Sequence, residues 1–210
     1  MKSIKLITTT LVVSSVAFMS CKSDYKTADT EVDTVEEHRI QLYNALKIAK
    51  HTICIHSGWA TDHVVDEDFK NRILECLRRG VNIYIGYGYK SYMPKYLSSE
   101  YRRSMQTNKN AGKRLAEIME LCDRENIKGK LDVDHYGNHR KELICDDKFY
   151  IVGSFNWLSN KSSPNLEKSL KVTSSEYVSK ERSIFLERFQ RTNRQTRQEI
   201  INFLKDDGIK

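Results

Sequence analysis

Four side chains lie close together in this 210-residue chain: an imidazole, an ammonium, a hydroxyl and an amide, at His139, Lys141, Ser154 and Asn156. These groups can attack a phosphate and hold it. An imidazole near its ordinary pKa of about 6.5 is partly neutral at physiological pH, so it can act as nucleophile or proton carrier. A phosphodiester is anionic and resists attack, so positive charge and hydrogen-bond donors are needed around its nonbridging oxygens. Lys141 offers the charge, while Ser154 and Asn156 offer donors. His139 and Lys141 are two apart, on one face of an extended chain, and Ser154 and Asn156 repeat that offset after the next run. Residues 143–146 and 149–152 read as strands joined by a turn at Asp146-Asp147-Lys148. Gly153 leaves room for backbone or ligand to approach. A histidine and lysine at this spacing, taken alone, describe only a surface hairpin. The added offsets of Asp146, Gly153, Ser154 and Asn156 favour the chemical reading.

The surrounding sequence supplies elements to carry these groups. Residues 66–77 place Phe69, Ile73, Leu74 and Leu77 on a helical stripe, and residues 113–122 repeat the pattern with Leu115, Ile118, Met119 and Cys122. Residues 130–135 and 169–173 read as strands, and residues 176–189 as a closing helix with Ile184, Phe185 and Phe189 inward. Strands alternating with helices predict a mixed α/β sheet flanked by helices, in one domain large enough for a real core. There is no internal repeat that would supply a second set of the chemical groups.

The run His139-x-Lys141, then Asp146, then Gly153-Ser154-x-Asn156 resembles the HKD signature of the phospholipase D superfamily at every offset. Asn165-Leu166-Glu167 is similar to the Asn-x-Glu that follows it there. Residues 52–57 resemble the family's first strand and residues 79–85 its second, so the resemblance spans residues 35–189. It implies a phosphodiesterase that works without a metal or other cofactor. His139 would form a phosphohistidine, Lys141 and Asn156 would hold the phosphate with Ser154 assisting, and Glu167 would orient the histidine ring. Asp146 belongs to the same set but reads as more structural than chemical. The family's mechanism uses two histidines, and this chain carries one motif: His38, His51, His56, His63 and His135 are not followed by lysine at the second position. With its one motif the chain resembles the family's short bacterial endonucleases, which are single-motif homodimers, and this implies pairing about a twofold axis. That pattern favours nucleic acid as substrate. Phospholipid headgroups are the alternative, and an inert nucleic-acid or membrane-binding module is the second alternative, against which the intact motif argues.

Charge and composition bear on the substrate. The formal net charge is +7, and Lys90, Lys95, Arg102, Arg103, Lys109, Lys113 and Arg114 crowd between residues 87 and 114 against one acid, Glu100. Tyr87, Tyr89, Tyr92, Tyr96 and Tyr101 are interleaved. Basic groups attract phosphate backbones and aromatic rings stack on unpaired bases, so Lys90, Arg102, Arg103 and Lys109 are candidate substrate-binding residues. The same composition also fits a solvated loop whose tyrosines pack inward, or attraction to an anionic membrane. Gly86-Tyr87-Gly88 lacks the third glycine of a dinucleotide fingerprint. His135 and His139, with Asp132 and Asp134 nearby, hint at a metal, but the resemblance points away from one.

The termini read differently. Residues 1–21 have a short basic start and an apolar run ending at Cys21, a pattern of a secretory or lipoprotein signal. This predicts export and a membrane tether through Cys21, with a cytoplasmic chain as the alternative. Residues 22–36 read as a polar tether, 37–192 as the catalytic domain and 193–210 as a helical tail. Cys54, Cys76, Cys122 and Cys145 read as small buried apolar residues, although an exported chain permits disulfides. The chain has no Cys-x-x-Cys, so a structural zinc site is not expected.

Overall fold

The computed structural model describes residues 29–88, 99–162, 166–192 and 195–206. In chain order the elements are β1 (Thr30–Val32), α1 (Val35–Ile48), β2 (Thr52–Ser57), α2 (Glu67–Arg78), β3 (Asn82–Tyr87), α3 (Ser99–Glu125), β4 (Leu131–His135), β5 (Glu142–Cys145), β6 (Phe149–Gly153), β7 (Ser169–Val172), α4 (Ser175–Thr192) and α5 (Arg197–Asp206). The strands form one seven-stranded sheet in the order β1-β7-β6-β5-β2-β3-β4. β2, β3 and β4 are parallel, as helical crossovers require, and the rest pair antiparallel. The fold is the expected mixed α/β sheet.

Alternation along the strands sorts the core into two layers. Ile53, Ile55, Ile83, Ile85, Leu143 and Ile151 face the layer covered by α1, α2, α3 and α5. Cys54, Ile144 and Tyr150 face α4 through Val178, Phe185 and Phe189. A one-residue slip in β5 would turn Glu142 into the layer that holds Leu143 and Cys145, so the residue pattern pins the register. All four described cysteines are buried free thiols.

Three regions differ from the sequence expectation. Within the segment read as a tether, Val32 is buried and β1 pairs with β7. Thr34 then caps α1 through a reciprocal box with Glu37. Residues 1–28, with the signal reading, Cys21 and the start of the tether, lie outside the described residues. The helix expected at 113–122 starts much earlier, at Ser99, because no proline interrupts the run and its first half is bonded to the loop after β2. There Asn108 Nδ2 donates to the Ala60 carbonyl at 2.9 Å, Asn110 Nδ2 to Asp62 at 2.6 Å and Arg114 to the Val65 carbonyl at 2.8 Å. Finally, the C-terminal tail is part of the core: Ile200, Ile201 and Leu204 of α5 are buried with the residues of α3.

Candidate active site

β5 and β6 are a hairpin, and the chemical groups lie at its open end. The hairpin closes through Asp146, Asp147 and Lys148, with Asp146 at φ 49°, a left-handed conformation that aspartate tolerates better than most residues. β5 runs antiparallel to β2 with His56 opposite Glu142. The segment carrying His139 and Lys141 therefore lies beside the chain leaving β2 at Ser57 and Gly58. The glycine there marks the centre of the site. A Cβ on Gly58 would lie 3.1 Å from Asn156 Oδ1, 3.4 Å from Lys141 Nζ and 3.5 Å from His139 Cδ2. The hairpin brings Lys141 and Asn156 together, the loop ahead of it adds His139, and the hydrogen on Gly58 leaves the space between them open.

Each group has a definite setting. The Gly58 amide donates to Asn156 Oδ1 at 3.0 Å, which fixes the oxygen of the side-chain amide and makes its NH2 the donor end. Lys141 is buried, and its ammonium donates to the His139 carbonyl at 2.8 Å. Burial lowers the Lys141 pKa, partly offset by the nearby Glu167 carboxylate. A desolvated ammonium interacts strongly with an arriving anion. His139 itself is exposed at the rim. Ser154 donates to Glu167 Oε2 and accepts from the Lys168 amide at 3.0 Å. The other Glu167 oxygen accepts from Asn160 Nδ2 at 2.7 Å. Ser154 and Glu167 thus form a braced pair next to the cluster, with the serine proton directed at the carboxylate. Asn165 lies outside the described residues.

Asp146, counted with the catalytic set in the sequence, is positioned elsewhere. It follows the far end of β5, and five residues of extended chain, roughly 16 Å, separate it from Lys141. Its carboxylate accepts from the amides of Lys50, His51 and Thr52 at 2.8 to 2.9 Å and pairs with Lys148. Burial pushes its pKa up, but those donors outweigh burial and hold it at about 2. It pins the start of β2 to the end of β5.

Two other histidines, His56 and His135, have definite settings of their own. His56 is fully buried on the α4 face of the sheet. The His135 ring packs between Tyr87 and Phe203, and burial lowers its pKa. Among the described residues, no group of three or more histidine, cysteine or acidic side chains is arranged to hold a metal. Of the basic candidates, Lys90 lies outside the described residues, Arg102 belongs to α3, Arg103 is exposed on α3 and Lys109 is half-buried there. The hydrogen bonds of α3 to residues 60–65 place that helix next to the chain leaving Gly58. Tyr87, expected as a possible stacking ring, is instead fully buried at the end of β3. Gly58 was not singled out in the sequence. Its only signal is a glycine directly after a predicted strand.

The chain belongs to the phospholipase D superfamily: the family described as cardiolipin synthase, PLD-like domain, matches residues 42–189. No curated protein matches it. Among solved structures it is similar to NucT from Helicobacter pylori, at 19% identity and a TM-score of 0.51 over 80% of this chain and 98% of that one. It is also similar to Nuc from Salmonella typhimurium, a phospholipase D family member, at 17% identity and a TM-score of 0.47 over 80% and 94%. A third, phosphatidylserine synthase from Haemophilus influenzae, gives 11% identity and a TM-score of 0.50 over 85% of this chain but 44% of that one.

Proposed function

We propose that this protein is a phosphodiesterase that cleaves nucleic acid without a metal, as a homodimer whose two copies share one active site. The observation carrying this reading is the convergence of His139, Lys141 and Asn156 around Gly58, with one imidazole per chain exposed at the rim. In the first step an imidazole nitrogen of one His139 attacks phosphorus. A P–N bond forms, the P–O bond to the leaving group breaks, and the second copy's His139 donates a proton to the departing oxygen. In the second step that neutral imidazole takes a proton from water, the hydroxide attacks phosphorus, and the P–N bond breaks. Lys141 and the Asn156 NH2 stabilise the charge on the nonbridging oxygens throughout.

Nucleic acid is favoured by the single motif, by the basic stretch of α3 up to Arg114 beside the site, and by a match that covers nearly the whole length of NucT. Phospholipid is the second reading. It is supported by the cardiolipin synthase description of the matching family, and a tether through Cys21 would keep the enzyme at a membrane. The test incubates purified protein with plasmid DNA, RNA and phosphatidylcholine vesicles in excess EDTA. Cleavage of nucleic acid at an undiminished rate is expected. Release of choline alone would transfer the assignment to phospholipid. Activity lost on chelation and restored by zinc or magnesium would overturn the imidazole mechanism.

A further inference from the structure

The exposed His139 sits on a stretch without regular structure, residues 136–140, yet that stretch is tied down at several points. The Tyr136 amide donates to the Tyr87 carbonyl at 3.0 Å and the Asn138 amide to the Gly88 carbonyl at 2.7 Å. Asn138 Oδ1 accepts from the Arg140 amide at 2.9 Å. A further tie runs through the sheet to its other face. Tyr136 Oη lies 2.5 Å from His56 Nε2, and His56 Nδ1 lies 2.6 Å from Glu142 Oε2. Tyr150 Oη donates to the other Glu142 oxygen at 3.1 Å. The His56 ring is fully buried, with Phe185 packed 4.0 Å from it.

We propose that the hydrogen-bonded chain Tyr136–His56–Glu142, centred on the buried His56 ring, positions His139, making Tyr136 and His56 positioning residues for the phosphodiester chemistry, on the reading that His139 is the attacking group. The direction of each bond follows from the groups. The Glu142 carboxylate can only accept, so His56 Nδ1–H donates to it. Whenever the ring carries only that one proton, Nε2 is the acceptor and Tyr136 donates its hydroxyl proton to it. Burial pushes the Tyr136 pKa up to about 12, which keeps that proton in place. Gly86 provides the passage: a Cβ there would lie 2.6 Å from His56 Cδ2 and 2.9 Å from Tyr136 Oη. The two glycines of Gly86-Tyr87-Gly88 therefore serve this loop, since a Cβ on Gly88 would come within 2.8 Å of the Tyr136 carbonyl oxygen. Buried polar networks with every member bonded rigidify the backbone that carries them. An exposed attacking ring depends on that rigidity, because a misplacement of about 1 Å can cost on the order of a hundredfold in rate.

The test compares Tyr136→Phe with Tyr150→Phe in the full-length protein, using bis(p-nitrophenyl) phosphate as substrate and thermal melting as a control for the fold. Each variant removes one hydrogen-bonded hydroxyl from the same network, but only the first touches the His139 loop. Tyr136→Phe should lower kcat at least about tenfold with KM within about twofold, and Tyr150→Phe should change kcat by less than about twofold. Equal losses of kcat in both variants, or unchanged kcat in Tyr136→Phe, would overturn the positioning role. His139→Ala is run beside them. If it stays active, the attacking-group reading fails and this proposal with it. If it is dead while Tyr136→Phe is fully active, only the positioning role is lost.

Discussion

His139 and His56 flank the same strand pair and differ in almost every respect. His139 lies at the rim of the sheet, exposed, next to a buried ammonium and an oriented amide. His56 lies across from Glu142, fully buried, with a carboxylate at one ring nitrogen and a phenol at the other. An imidazole can attack phosphorus only where a substrate can reach it, and both nitrogens of His56 are engaged under α4. Burial, not residue type, separates the ring a substrate can reach from the ring it cannot.

The sharpest way to break that comparison is to remove the exposed ring. His139→Ala should lower phosphodiester cleavage by on the order of 10³-fold or more, with melting unchanged because the side chain is at the surface. Activity within threefold of the parent would end the distinction. Mixing the variant with parent subunits should reduce activity below simple dilution, since each mixed dimer lacks one of the two imidazoles. A strictly monomeric and fully active parent in sedimentation would rule out the shared site.

The next largest effect concerns the neighbour that makes the rim reactive. Lys141→Ala should lower kcat by on the order of 10²-fold or more, as expected when a preorganised charge is taken from a developing one. Steady-state kinetics with a soluble phosphodiester would show this, and a change confined to KM would reduce Lys141 to a binding group.

The smallest effect is expected at the far end of β5, where the Asp146 carboxylate is taken up by the amides of Lys50, His51 and Thr52. Its pKa in the folded chain, about 2, lies below its ordinary value of 3.8. The stabilisation is therefore complete above about pH 4 and lost as pH falls through about 2, and it amounts to roughly 2 kcal/mol. Denaturant melts of the parent and of Asp146→Asn should differ at pH 6 and converge toward pH 2. A gap that stays constant with pH would show that the carboxylate charge is not what holds this corner.

The hairpin was legible in the sequence because its chemistry is local: residue types and offsets from His139 to Asn156 suffice to name it. The third wall of the site was not, because Gly58 reaches it only through the pairing of β2 with β5, a long-range event that no short spacing reports. The same holds for Tyr136, His56 and Glu142, whose meeting depends on register and on the glycine passage between strands. Helix α1 was missed although Thr34 and Glu37 spell a capping box ahead of Leu42, Ala45 and Leu46. The early start of α3 was hidden by its polar, basic composition, which periodicity scores poorly when side-chain hydrogen bonds to a loop replace apolar packing. Asp146 shows the converse: a residue can be set at a fixed offset within the motif and yet have its carboxylate joined to the start of β2, away from Lys141 and Asn156.

The dependence on β2 also has a temporal side. The β5–β6 hairpin closes over a three-residue turn, and such units form in about 1–10 μs. Gly58 and His139 are separated by about 80 residues, and joining them must overcome the entropy of closing that loop. A folding chain therefore holds the complete motif before it holds a pocket for phosphate. Cleavage activity should appear only with the last cooperative step of refolding, after the hairpin's own strand signal has already developed.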